Sequence, residues 1–112
     1  MLAKDSRFPH GINVEFVRVL AADRIAFRIF ERGVGPTTSS GTGTCAVAAA
    51  AIALRQCSQA LTAVAEGGAQ EVTWASPETE LLLTGPATLL CRGEAFDPFA
   101  DEAEELVEEF AL

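Results

Sequence analysis

Few residues of this 112-residue chain could hold a metal. It has one histidine, His10, and three cysteines, Cys45, Cys57 and Cys91, with no Cys-x-x-Cys pair and no cysteine near the histidine in sequence. A zinc site needs more ligands at closer spacing, and an odd cysteine count argues against a disulfide framework. No metal site is expected, and reduced thiols fit a cytoplasmic chain. A positively charged opening followed by an apolar run is also missing. The one apolar stretch, 45–54, is mostly alanine and too short to cross a bilayer. Basic residues are absent where acids gather. Residues 1–93 carry eight acids and eight bases, whereas 94–112 carry eight acids and no base. Nucleic acid and anionic membrane are therefore not expected partners, because both need Lys and Arg.

What is present describes one globular domain. Hydrophobic residues make up 49% and charged residues 21%, enough for a core and too apolar for a disordered chain. No internal repeat is visible. "NVEFVRVLAADRIAFRIFE" (13–31) predicts two strands joined at Ala21-Ala22-Asp23, with β-branched and aromatic residues on the pleat and Arg18, Arg24 and Arg28 on the wetter face. Gly33, Gly35 and Pro36 end the second strand. "TCAVAAAAIALRQCSQAL" (44–61) predicts an alanine-rich helix beginning at about Thr44, small enough in its side chains to pass close to other backbone. Short strands follow around 62–65 and 70–75, either side of Gly67-Gly68. "ELLLTGPATLLCRGE" (80–94) predicts two more, separated by Gly85-Pro86. The expected fold is α+β, with a mixed or antiparallel barrel-like sheet wrapped around a central helix. The tail from 97 onward carries Ala103, Leu106, Val107 and Phe110 at i, i+3, i+4, i+7, which predicts a short acidic amphipathic helix. Such a helix, with like charges at i, i+4, needs its apolar stripe docked on its own domain or on a partner.

"ERGVGPTTSSGTGTCAV" (31–47) is the stretch that points to chemistry. Its four consecutive hydroxyl residues and its glycines lead into a helix whose first turn offers unpaired N–H groups and the positive end of a dipole. A carboxylate or phosphate suits such a place. A plain Ser/Thr N-cap is one reading. Phosphate binding is a second, since Gly41-x-Gly43-x-x-Ala46 matches a dinucleotide fingerprint, but no hydrophobic strand runs into Gly41 and there is no P-loop lysine. A third adds Glu31 and Arg32: a buried arginine can clamp a carboxylate and a glutamate can accept from an ammonium, which together suit an amino acid. An ideal strand points these two side chains to opposite faces, so both meet one ligand only if the chain bends at Gly33.

"FPHGINVEFV", "ERGVGPTTSSGTGTCA" and "LTGPATLL" resemble, in that order, the C-terminal half of the diaminopimelate epimerase family. The resemblance covers residues 8–95. It implies one of two pseudo-symmetric halves, each a sheet around a central helix, with the amino-acid substrate between them. It implies catalysis without a cofactor: a thiolate removes the α-proton from one face and a thiol returns one from the other. Asn13, Glu31, Arg32, Gly41 and Thr42 fall on the family's substrate-binding positions. Ser40 falls on the position of the catalytic cysteine, and an alcohol is a far weaker acid than a thiol of pKa ~8.5. The nearest thiol, Cys45, is expected to pack inward, and Cys57 and Cys91 to be buried packing residues.

The resemblance therefore divides the chain into an epimerase-like domain, 1–96, and an acidic tail, 97–112. It predicts the substrate-binding half of a diaminopimelate epimerase, an isomerase of lysine and peptidoglycan-precursor synthesis, not competent alone. A catalytically degenerate amino-acid-binding or interaction module is the alternative, and a nucleotide-phosphate binder a weaker one. The expected ligand is a diaminopimelate-like amino acid. A first-half domain or a second copy of the chain is the expected protein partner, because a lone half exposes a sheet edge and a cleft face.

Overall fold

In a computed structural model describing residues 2–99, one helix lies against one face of a six-stranded mixed sheet. β1 (Val14–Ala21) and β2 (Arg24–Glu31) form an antiparallel pair, from Val14↔Phe30 to Ala21↔Arg24, with a register shift between Val19 and Ala21. β2 alternates as its sequence dictates. Ile25, Phe27 and Ile29 are buried on the inner face, while Arg24 and Arg28 are exposed on the outer one. A short β3 (Gly35–Thr37) folds back onto the end of β2.

The chain then crosses over through α1 (Gly41–Arg55) into β4 (Ala60–Ala65), which runs parallel to β2. β5 (Gly68–Thr73) and β6 (Leu82–Thr84) continue the sheet antiparallel. The strand order is β1-β2-β4-β5-β6, with β3 beside β2. β1 and β6 do not pair with each other, so the sheet is open. The core lies where α1 meets the inner face: Val47, Ala48 and Ala51 pack on Ile25, Phe27, Ile29, Leu61, Ala63 and Val72. Ala48 and Ala51 keep the helix close to the strands, because a longer side chain there would hold it off.

Four expectations fail here. The helix starts at Gly41, not Thr44, because Ser40 is already in extended conformation (φ −157°, ψ 126°) and caps it. It ends at Arg55 instead of continuing to Leu61. Gln56 takes a left-handed conformation (φ 54°) and the Cys57 N–H donates to Ala51 O at 3.2 Å. Leu61 is thereby released to pair with Val72 in the sheet, where both are buried. Finally, the strand expected beyond Gly85-Pro86 does not form. A strand needs a ladder partner, and, among the described residues, 85–97 run beside none, leaving Leu89 (93%) and Leu90 (88%) exposed. Cys91 is exposed with them, contrary to its expected burial, whereas Cys57 is buried as expected. The tail beyond Phe99, with its predicted helix, lies outside the described residues.

Candidate functional site

The start of α1 is an ordered turn, not a loose glycine loop. The Gly43 N–H donates to Ser40 Oγ at 3.1 Å, and Ser40 O accepts from the Thr44 N–H at 2.9 Å. Thr44, fully buried, places its hydroxyl 2.7 Å from both Ser40 O and Gln70 Oε1, so its single proton serves one of them at a time. This contact ties the turn to β5. A second tie comes from the β4–β5 turn, where the Gly67 N–H donates to Thr38 O at 2.7 Å. A Cβ on Gly67 would stand 2.8 Å from that same oxygen, so glycine is required for the approach. Gly67→Ala is therefore expected to displace residues 38–40 and cost about 1–3 kcal/mol of stability. Chemical denaturation measures it, and an unchanged midpoint would show that the turn is not held from β4–β5.

On the other side, Arg32 is fastened to the segment before β1. Its backbone N–H donates to Asn13 Oδ1 at 2.8 Å, and its guanidinium Nη1 donates to His10 O at 3.0 Å. Because Asn13 Oδ1 is used as the acceptor, its side-chain NH₂ is left to donate to a ligand. Gly11 has φ +72°, and a Cβ there would meet Arg32 Cδ at 2.9 Å, so glycine sets the path of the arginine stem. Arg32 is exposed, not buried as its clamp role assumed. Its stem is nonetheless fixed at the wall of a cleft.

That cleft, of about 480 Å³, is lined by Gly11, Ile12, Asn13, Glu15, Arg32, Thr42, Gly43 and Ala46. Its volume suits a small metabolite. Two of the sequence-predicted residues besides Arg32 line it, Asn13 and Thr42. Ser40 sits at its edge as the helix cap, with its hydroxyl 3.4 Å from that of Thr42. Gly41 precedes Thr42 and is exposed. Glu31 is not a lining residue. The chain does bend at Gly33 (φ +77°), but Glu31 Oε1 accepts from Thr37 Oγ1 at 3.1 Å, within the β2–β3 pair. Cys45 is half-buried and does not line the cleft. Sequence reasoning missed Gly11 and Glu15, although "HGIN" carries a turn signal beside Asn13.

Ion pairing elsewhere is sparse. Among the described residues the one ion pair, Arg7 with Asp5 at 2.9 Å, is exposed, and its side-chain hydrogen bond holds the Asp5 carboxyl below the usual carboxylate value. Among the described residues no three His, Cys, Asp or Glu side chains are grouped to hold a metal, and no helix is long and apolar enough to cross a membrane.

Comparison with known proteins bears on the same residues. The family model described as diaminopimelate epimerase matches residues 1–90. The chain is 40% identical over 95 residues to a diaminopimelate epimerase of Bacillus velezensis, covering 83% of this chain and 33% of that protein. The Bacillus subtilis diaminopimelate epimerase is 39% identical over 98 residues, 86% of this chain and 34% of the relative. That of Microcystis aeruginosa is 40% identical over 86 residues, 77% and 31%. The chain spans about a third of the length of these relatives.

Proposed function

The chain belongs to the diaminopimelate epimerase family, and from that premise we propose that it forms the C-terminal, substrate-binding half of a cofactor-independent amino-acid epimerase. The observation that carries this reading is the joint placement of Arg32, Asn13 and the first turn of α1 around one cleft. A ligand carboxylate seated at the helix start meets the free N–H groups of Gly41 and Thr42 and the positive end of the dipole. Asn13 donates its free NH₂, and Arg32 adds positive charge and a planar pair of donors. Glu31, whose Oε1 is held by Thr37 outside the lining of this cleft, is assigned to the distal ammonium of a diaminopimelate-like zwitterion by the family resemblance alone.

Epimerisation takes the α-proton to a base on one face and returns a proton from an acid on the other. Ser40, at the edge of the cleft, is the one proton-transfer position that the family resemblance assigns to this chain, so in this reading the reaction requires a second wall with its own group. A first-half domain supplies it in this reading. Exposed Val17 and Val19 on the unpaired edge strand β1, with exposed Leu54 on α1, offer that domain or a second copy an apolar face.

Calorimetric titration of the full chain with meso-diaminopimelate tests the binding half of the proposal alone. Arg32→Ala is expected to weaken binding about 10- to 100-fold, the loss of hydrogen bonds to a charged group. Arg32→Lys should restore little of it, because an ammonium lacks the planar fork. Binding of nucleotides but not of amino acids would overturn the assignment in favour of a phosphate site.

One observation favours a second reading, an amino-acid-binding module without catalysis. The Ser40 hydroxyl oxygen is engaged as acceptor for the Gly43 N–H, a complete structural role that needs no acid-base chemistry.

A further inference from the structure

The outer face of the sheet has no covering element among the described residues, and its charge is of one kind along β1 and β2. Cross-strand registers place Phe16 beside Arg28, Arg18 beside Ala26, and Ala26 beside Val64, with Arg24 one step along at Thr62. Phe16 is 70% exposed, and the three arginines are exposed with no carboxylate within ion-pair distance among the described residues. A groove of about 770 Å³ runs between them, lined by Phe16, Arg18, Ala26, Arg28, Val64 and Glu66 among others. Glu66 and Glu71 stand towards the β4–β5 side, and Glu71 is bound by Thr62 Oγ1 at 3.0 and 3.1 Å.

Residues 101–110, "DEAEELVEEF", are the complement of this face. They present Ala103, Leu106, Val107 and Phe110 at helical spacing, between Asp101, Glu102, Glu104, Glu105, Glu108 and Glu109, with no base. The like-charge pairs Asp101/Glu105, Glu104/Glu108 and Glu105/Glu109 disfavour the helix in isolation, and its length is below what water alone supports. A basic face with an apolar centre removes both difficulties at once.

We propose that the acidic C-terminal segment 101–110 folds as an amphipathic helix across the outer face of its own sheet. Its apolar stripe covers Phe16, Ala26 and Val64, and its glutamates flank Arg18, Arg24 and Arg28. The sheet from β6 to β1 is roughly 19 Å wide at about 4.8 Å per strand. A helix of this length rises about 15 Å, three strand spacings. The family match ends at residue 90, so the device is separate from the cleft and does not rest on the function proposed for it.

Hydrogen exchange of the full chain at neutral pH tests the docking. Amides of 103–110 should exchange about tenfold or more slower in the native chain than in Arg18→Glu/Arg28→Glu, with protection independent of protein concentration. High salt should reduce the protection. Adding Glu104→Arg/Glu108→Arg to the double variant should restore it, and unchanged protection of β2 and β4 amides confirms that the sheet remains folded. An unprotected native tail overturns the proposal, as does protection indifferent to the arginines. Protection that vanishes on dilution assigns the face to a second copy instead and overturns it equally.

Discussion

Ser40→Cys, mixed with a first-half domain of the family, is expected to exchange the α-hydrogen of diaminopimelate for solvent deuterium about 10²–10⁴ times faster than the native chain under the same conditions. The substitution changes size little and chemistry greatly. Residue 40 stands at the cap of α1, where its side-chain atom accepts the Gly43 N–H and lies at the positive end of a 15-residue helix. Both features lower the pKa of a thiol and favour the thiolate. The same features do little for an alcohol, whose ionisation lies too far above neutral pH. NMR detection of deuterium incorporation gives the rate, and an inactive Ser40→Ala alongside a slow native chain completes the series. Should the native chain already match the cysteine variant, serine would have a proton-transfer role that the cap geometry does not explain. Should neither exchange while diaminopimelate still binds, the non-catalytic module is the correct reading, and the binding proposal survives.

Ile25→Ala is expected to cost about 2–5 kcal/mol, the range for removing a large aliphatic side chain from a packed core. Ile25 is fully buried, and its strand is central: β2 pairs with β1, β3 and β4. Its register partners are Val19 and Ala63, and α1 lies over it. Small neighbours such as Ala48 and Ala51 cannot extend to fill the space, so the cavity persists. For a domain of this size total stability is about 5–15 kcal/mol, and the loss would be a large part of it. Urea denaturation followed through Trp74 fluorescence measures the change. A cost below about 1 kcal/mol would mean that the helix settles into the space and that the alanine face does not hold it at a fixed distance.

Local rules made much of the architecture legible. The alternation of Ile25, Phe27 and Ile29 with Arg24 and Arg28 specified both the strand and its buried face. Ala22-Asp23 and Gly67-Gly68 marked hairpin turns that the chain takes. Two local signals misled, for different reasons. Alanine, leucine and glutamine support a helix through 61 by propensity, yet the pairing of Leu61 with Val72 in the sheet outweighs a few tenths of a kcal/mol per residue. Apolar "ATLL" (87–90) reads as a strand, but a strand exists only beside a partner, and among the described residues no strand stands next to it.

The residue types of the site were readable, but their grouping was not. Sequence alone determined that the hydroxyl and glycine residues of 37–43 lead into a helix, because their chemistry is local; the structure placed its start at Gly41 with Ser40 as the cap. Sequence also determined that Ser40 lacks the acidity of a thiol. Tertiary structure alone decided that Asn13 fastens Arg32, that Arg32 joins Thr42 at the cleft, and that Glu31 turns to Thr37. Those outcomes depend on hydrogen bonds across 6 to 22 residues and on the positive φ angles of Gly11 and Gly33. Residue identity states which bonds a side chain can make; the path of the backbone decides which partner is within 3 Å.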